Sequence, residues 1–487
     1  MTESAAAEAR EGAGLEQPAM QEKQTRTTDA LEGTGRDNTG ISKGGNLWEG
    51  SPYPNGRILH PGNAMIAPLL ASLLLVVQNR PALDSATVTR VLTQLKASDS
   101  AVCVLAGQAL TNYGGFWGHA FDPGMPMPQP MPTPMPMPGG GGGGGVHFAM
   151  HERSRDVDPA VLRAFRAVIR DDNRCVRNIA ARVLGNHHDS GTYDLFLGLL
   201  RDARAELRET GALGLGELED SRAISPLSDA LSRDDSPAVR MTAAWALGEI
   251  EEKVAIEPLS RALTDRALEV RRTAAWALGE IEDARAVRPL STALDDQAVE
   301  VRLSAVWALG EIEDASAVPV LATAAKDRDP RVRQQAAWAL GEIESAQGIS
   351  TLETLLRDPV AEVRKTAIWA LGEIEDGGAV PALATALKDA DPDVRALSAW
   401  ALGEIEDGSA IEPLLAALKD GDEDVRATAA WALGEIENPR AREGLTAAQR
   451  DEVGSVRRAA TWALRQLDDN DDPHVHVHVN PRVKVKP

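Results

Sequence analysis

The stretch Val270-Arg-Arg-Thr-Ala-Ala-Trp-Ala-Leu-Gly-Glu-Ile-Glu-Asp283 recurs almost letter for letter through the second half of this 487-residue chain. Trp245, Trp276, Trp307, Trp338, Trp369, Trp400, Trp431 and Trp462 mark it at a constant step of 31 residues, with no insertion. A fixed period of this size predicts a stack of two-helix units, each too small to hide its own apolar side and each covering its neighbour's. The expected fold is all-α, a right-handed α-solenoid.

One unit, residues 389–420, shows how the letters encode it. Asp391 suits a helix cap, Pro392 its first turn, and Asp393 the positive end of the helix dipole. Val394, Ser398, Ala401, Leu402 and Ile405 then gather on one face of that helix. Asp407-Gly408 is the expected stop, because glycine accepts the left-handed conformation at a helix end. Pro413 opens the partner helix, with Ile411, Leu414, Ala417 and Leu418 turned inward. Gly403 lies off the apolar stripe, where a missing side chain lets a neighbouring helix approach.

Two charged ladders share the period. Asp265, Asp296, Asp327, Asp358, Asp389, Asp420 and Asp451 fall in the turn between the helices, and Arg240, Arg271, Arg302, Arg333, Arg364, Arg395, Arg426 and Arg457 each follow the first valine of the Trp helix. Arginine forks that bridge to turn carboxylates of the same or the next unit would fix the stacking register.

Outward from the regular series the pattern wears. Val176-Arg177 with Leu184-Gly185, and Leu207-Arg208 with Leu215-Gly216-Glu217, keep the skeleton without Trp. The expected organisation is a disordered tail over residues 1–62, a capping helix and degenerate first repeat over 63–112, an insert over 113–156, the solenoid over 157–469 and a flexible tail over 470–487. The insert joins the Pro/Met run of residues 123–138 to seven glycines, a semi-rigid rod followed by a slack hinge. The apolar run at residues 64–77 has 14 residues, short of the roughly 20 that a spanning helix requires. It reads as a buried capping helix in a cytoplasmic protein, or as a signal-sequence core of an exported one if translation starts at Met65.

Composition bounds the function. A formal charge of −22 argues against binding nucleic acid or an anionic membrane, both of which need a basic footprint. Cys103 and Cys175 form no CxxC and no ligand cluster, and read as small buried hydrophobes in a reducing compartment. No cofactor is expected.

The unit A-V-x-P-L-x-x-A-L-x-D, a turn, then V-R-x-x-A-A-W-A-L-G-E-I-E-D resembles the HEAT-like repeat of the phycobilisome-lyase type, the motif that designed α-helical repeat proteins idealise. The resemblance spans about residues 158–469 strongly and 84–112 weakly. It implies that the second helix of each unit lines a concave surface, with the positions of Trp276 and Glu280 pointing into it. The same family includes chromophore lyases and an iron-dependent hydroxylase whose irons sit on repeated His-Glu pairs; here that pair occurs once, as His151-Glu152.

The candidate partner-binding residues are therefore Trp245, Glu249, Trp276, Glu280, Trp307, Glu311, Trp338, Glu342, Trp369, Glu373, Trp400, Glu404, Trp431 and Glu435, in which Trp and Glu stand one helical turn apart. Eight layers at 9–10 Å would make a groove roughly 70 Å long. It would suit an extended protein or peptide segment bearing Lys and Arg, held by cation-π contact and charge pairing. The competing reading is that each Trp packs against an adjoining repeat. The expected role is a monomeric, non-enzymatic scaffold; the alternative is a lyase-like or accessory subunit of an enzyme complex. Arg465-Gln466-Leu467 replaces Gly-Glu-Ile in the last unit and reads as a terminal cap. In the tail, His474, His476 and His478 fall on one side of an extended strand and are a candidate adventitious metal site.

Overall fold

A computed structural model describes residues 85–96, 158–187 and 191–470. The chain divides into two units, residues 1–62 and 63–487, and every described residue lies in the second. The expected N-terminal tail, the apolar run at 64–77, the insert and the His474–His478 trio lie outside the described residues.

Among the described residues there are 21 α-helices and no strand. The worn part comprises α1 (Ser85–Leu95), α2 (Pro159–Val168), α3 (Arg174–Gly185), α4 (Thr192–Leu200), α5 (Ala205–Glu217) and α6 (Ile224–Arg233). The regular part alternates long and short helices: α7 (Pro237–Glu249), α8 (Ile256–Ala262), α9 (Leu268–Glu280), α10 (Val287–Ala293), α11 (Val299–Glu311), α12 (Val318–Ala324) and α13 (Pro330–Glu342). It continues through α14 (Ile349–Leu355), α15 (Ala361–Ile374), α16 (Val380–Ala386), α17 (Pro392–Glu404), α18 (Ile411–Ala417), α19 (Glu423–Glu435), α20 (Arg442–Ala448) and α21 (Gly454–Asn470). The architecture is an α-solenoid.

Several helices begin where their letters direct. The Asp329, Asp391 and Asp422 carboxylates accept from backbone N–H groups two residues on, and Pro330 and Pro392 occupy the first helical turn, where no N–H is needed. Short 3-10 turns lead into the seven-residue helices, and most are capped in the same manner, as where Asp283 accepts from the Arg285 N–H; the turn at Lys253–Ala255 has no side-chain cap. The ends differ from expectation. At the end of seven successive long helices the left-handed residue is a glutamate, and in the unit of residues 389–420 it is Glu406 rather than Gly408: Glu406 has φ 54°, and Glu251, Glu282, Glu313, Glu344, Glu375 and Glu437 lie between 47° and 53°. Its N–H bonds back to the helix glycine, Glu313 to the Gly310 carbonyl at 2.9 Å. Gly408 instead opens the next 3-10 turn, behind the Asp407 cap.

The core is thin and made of small residues. Ala274, Ala275, Ala277 and Leu278 of α9 are fully buried, as are their counterparts along the array. Successive long helices pack along their length, whereas successive short helices make few contacts with each other. Layers are therefore closest on the long-helix side. A second departure concerns cysteine: Cys175, at the start of α3, is disulfide-bonded and is not a free packing thiol. The sequence holds one other cysteine, Cys103, outside the described residues.

Candidate functional site: an acidic, tryptophan-lined face

From α9 to α19 the Trp and Glu of each long helix reach solvent on one stripe. In α9 the stripe is Glu269, Arg272, Trp276 and Glu280, at helical spacings of three and four, with Leu268 and Arg271 reaching solvent beside it, while Val270, Thr273, Ala274, Ala277 and Leu278 face inward. The equivalent stripe carries Trp307 and Glu311 on α11, Trp338 and Glu342 on α13, Trp369 and Glu373 on α15, Trp400 and Glu404 on α17, and Trp431 and Glu435 on α19. These pairs are half-buried, apart from the exposed Glu373. Trp245 of α7 is only 4% exposed, with Glu249 half-buried beside it.

From Trp276 to Trp431 each indole is covered on one edge and half-exposed overall, whereas Trp245 is buried. The covered edge lies on the glycine of the preceding long helix: a Cβ built on Gly310 would meet Trp338 Cζ3 at 2.9 Å, and one on Gly403 would meet Trp431 Cζ3 at 2.8 Å. The same relation joins Gly216 to Trp245, Gly279 to Trp307, Gly341 to Trp369, Gly372 to Trp400 and Gly434 to Trp462. Tryptophan thus interlocks successive units and still shows part of its ring on the stripe. Trp338 also gives its indole N–H to Glu342, one turn on.

The glutamates form a continuous row along the array. Burial pushes the Glu249 carboxyl up to about 8, with Glu217 and Glu280 adding to the rise. Glu280 is pushed up to about 7, first by burial and then by Glu311. Burial raises Glu342 as well, and Glu311, Glu313 and Glu344 add to the rise. Each carboxylate sees the charge of the next layer. The left-handed glutamates widen the row, since Glu219 and Glu282 act on Glu251, itself raised mainly by burial. They were missed in the sequence because the expected stop was a glycine; the signal was an acidic Glu-Ile-Glu repeated at the negative end of every long helix, where the dipole disfavours anions.

The charged ladder lies apart from this face, in the turns. Arg240 reaches forward with Nε and Nη2 to both oxygens of Asp265, at 2.8 and 2.9 Å. Its Nη1 points back to the Asp234 carbonyl at 2.9 Å. The pattern repeats from Arg271 to Asp296, Arg302 to Asp327, Arg333 to Asp358, Arg395 to Asp420 and Arg426 to Asp451. Arg364 meets Asp389 through Nη2 alone. The aspartate also accepts the N–H two residues on, as Asp265 does from Ala267. Burial works to raise the Asp265 carboxyl, and the Arg240 fork and the Ala267 N–H outweigh it and hold the group below its ordinary value. Arginine thus ties one turn to the next unit and braces its own turn from behind.

Among the described residues no group of three or more His, Cys, Asp and Glu side chains is arranged to hold a metal ion, and no helix is long and apolar enough to cross a membrane.

Known proteins place this architecture. A chain from the structure describing Kap95p bound to RanGDP aligns with 86% of this chain and 60% of its own, at 15% identity and a TM-score of 0.53, which is a likeness of fold. An engineered protein is 23% identical over 63% of this chain and 98% of its own, with a TM-score of 0.38. Human deoxyhypusine hydroxylase is 26% identical over 52% and 99%, with a TM-score of 0.26. No curated protein matches the chain. The family description "HEAT repeats" matches at residues 162–236, 224–301, 287–372, 349–422 and 380–465, together more than half of the chain. With the two-helix units, the interlocked tryptophans and the turn ladder already in view, the chain belongs to the HEAT-repeat family.

Proposed function

We propose that the array is a non-enzymatic scaffold that binds a partner protein along the long-helix stripe, where the partner lays down an extended, basic segment. The observation that carries this reading is the row of carboxylates along the stripe, in which the half-buried Glu249, Glu280 and Glu342 have raised proton affinity. A carboxylate kept among other carboxylates at the negative end of a helix breaks the local electrostatic rule in unit after unit, and a cation arriving there relieves several of them at once. The closer spacing of the long helices supports placing the stripe on the concave side of the stack. Half-exposed indoles beside each glutamate supply faces for the aliphatic stems and charged heads of Lys and Arg. The disulfide at Cys175 supports an oxidising compartment, and so the exported reading over the cytoplasmic one.

The test uses the full chain and a fluorescent ten-residue peptide with alternating Lys and Ala. Binding should weaken steeply from 50 to 300 mM salt. The variant Glu280→Gln/Glu311→Gln/Glu342→Gln/Glu373→Gln should lose at least tenfold in affinity with its helical circular dichroism intact. Light scattering should report a monomer. Equal affinity of variant and parent would overturn the proposal.

A further inference from the structure

Among the described residues the turn ladder ends on an unfilled fork. From Arg240 to Arg426 each ladder arginine finds an aspartate 25 residues on, in the following unit. Arg457 of α21 keeps the backward half of this arrangement, with Nη1 donating to the Asp451 carbonyl at 2.7 Å and the Glu452 carbonyl at 2.8 Å. A step of 25 residues reaches Arg482, which cannot supply a carboxylate. Nε and Nη2 of Arg457 are thus left with the geometry that binds two carboxylate oxygens at six of the seven earlier rungs.

The surroundings add charge of the same sign. An open cavity of about 440 Å³ is lined by Gly454, Arg457, Arg458, Thr461, Trp462 and Arg465. A Cβ built on Gly454 would stand 3.3 Å from Arg458 Nη1 and 3.7 Å from Arg457 Nη2, so the two guanidinium groups converge over one point of the helix. Among the described residues, Arg457, Arg458 and Arg465 enter no ion pair with any carboxylate, in a chain of net charge −22. The first turn of α21 holds no acidic residue, so the dipole reinforces the same positive potential.

Arg465 also restricts what can bind. It occupies the register of Gly279, Gly310 and Gly434, whose bare backbones receive the tryptophan and alanine of the next unit. A long side chain there blocks the close approach of another repeat, including one from a second copy. An extended segment fits where a helix does not.

We infer that the C-terminal face of the last repeat is a docking site for an acidic segment of a partner protein, whose Asp or Glu side chain completes the Arg457 fork while Arg458 and Arg465 hold neighbouring carboxylates beside Trp462. The site is separate from the acidic stripe and has the opposite charge preference. The array would therefore carry two partners, or two segments of one partner, of opposite sign.

The probe is a fluorescent octapeptide of alternating Asp and Ala, titrated into the full chain in 100 mM salt. Arg458→Ala/Arg465→Ala, both exposed positions, should weaken binding at least tenfold. Arg457→Lys, which keeps the charge and loses the fork, should weaken it about fivefold, whereas Arg285→Ala on the opposite flank of the array should leave it unchanged. Equal loss in all three variants would mean unspecific charge attraction and overturn the site. Displacement of the peptide by inorganic phosphate or by oligocytidylate at lower concentration than by unlabelled peptide would assign the cluster to phosphate and overturn the proposal. So would a concentration-dependent doubling of mass that the same substitutions abolish.

Discussion

Glu313 stands in the left-handed region at φ 47°, a conformation that costs a non-glycine residue about 1–2 kcal/mol. Its negative charge at a helix C-terminus costs a further ~0.3–1 kcal/mol. Against these stands the chain entropy that glycine would lose on folding, about 0.5–1 kcal/mol. The strain and charge terms together outweigh the entropy, so Glu313→Gly should raise the thermal midpoint, by about 0.5–1 kcal/mol in stability. Glu313→Val, which adds a β-branch to the same backbone, should lower it by at least as much. A melting curve for each variant checks the sign, and the cationic peptide should bind Glu313→Gly more weakly than the parent. Stability and binding would then pull this position in opposite directions. Residue identity at such a site could not be read from pattern alone: in the unit of residues 389–420, Gly408 stands two positions after Glu406, and a helix-stop rule assigns the turn to it. The ladder was readable as far as its members. Its direction was open because a 31-residue period places one aspartate six residues behind each arginine and another 25 ahead. The molecule uses both, Arg271 taking the backbone carbonyl of Asp265 and the carboxylate of Asp296.

At the scale of the element, helix pairing depends on a glycine that propensity alone would replace. Alanine favours a helix interior by about 1 kcal/mol over glycine. At Gly341 a Cβ would stand 2.9 Å from Trp369 Cζ3 and 3.0 Å from Ala370 Cα, and a backbone atom cannot step aside without moving α15. Overpacking of this kind costs about 1–3 kcal/mol or more, so the clash outweighs the propensity and Gly341→Ala should destabilise by about 1–2 kcal/mol. Gly198 in α4 is the contrast, being helical and exposed with no atom within 4 Å of its built Cβ. Gly198→Ala should stabilise by up to about 1 kcal/mol, and urea midpoints for the two variants should move in opposite directions. The period gave the helices, where they start and the fact that bare glycine admits a neighbour. What it left undecided was whether tryptophan packs or binds, because a repeat interval locates a ring without telling which side of it is covered. The covered edge, on the glycine one unit back, was a matter of geometry.

Across the whole array the glutamate row makes one electrostatic object, and its titration should show in the stability of the molecule. Glu249 holds its proton up to about pH 8 and Glu280 up to about pH 7, against an ordinary value of 4.5. The folded chain therefore binds more protons than the unfolded chain between pH 4.5 and those values. Stability contributed by the neutral carboxyls is complete below pH 4.5 and is lost as pH rises through 7 and 8, at up to ~1.4 kcal/mol per pH unit for each group while it stays protonated only in the fold. The turn aspartates act in the other direction: Asp420 and Asp451, held below their ordinary value by the Arg395 and Arg426 hydrogen bonds, give stability that disappears as pH falls below 4. The two slopes predict a maximum in mild acid, near pH 5, and a falling thermal midpoint from there to pH 8.5. Glu249→Gln/Glu280→Gln should flatten the alkaline limb and leave the acid limb in place. A parent protein whose midpoint rises or stays level between pH 5 and 8.5 would show that the row is not desolvated in this way. A saturating cationic peptide should restore part of the loss at pH 8.5 and not at pH 5, because a bound cation favours the ionised form that folding alone penalises. The same linkage requires that the peptide bind more tightly as pH rises from 6 to 8.5, with protons released on binding.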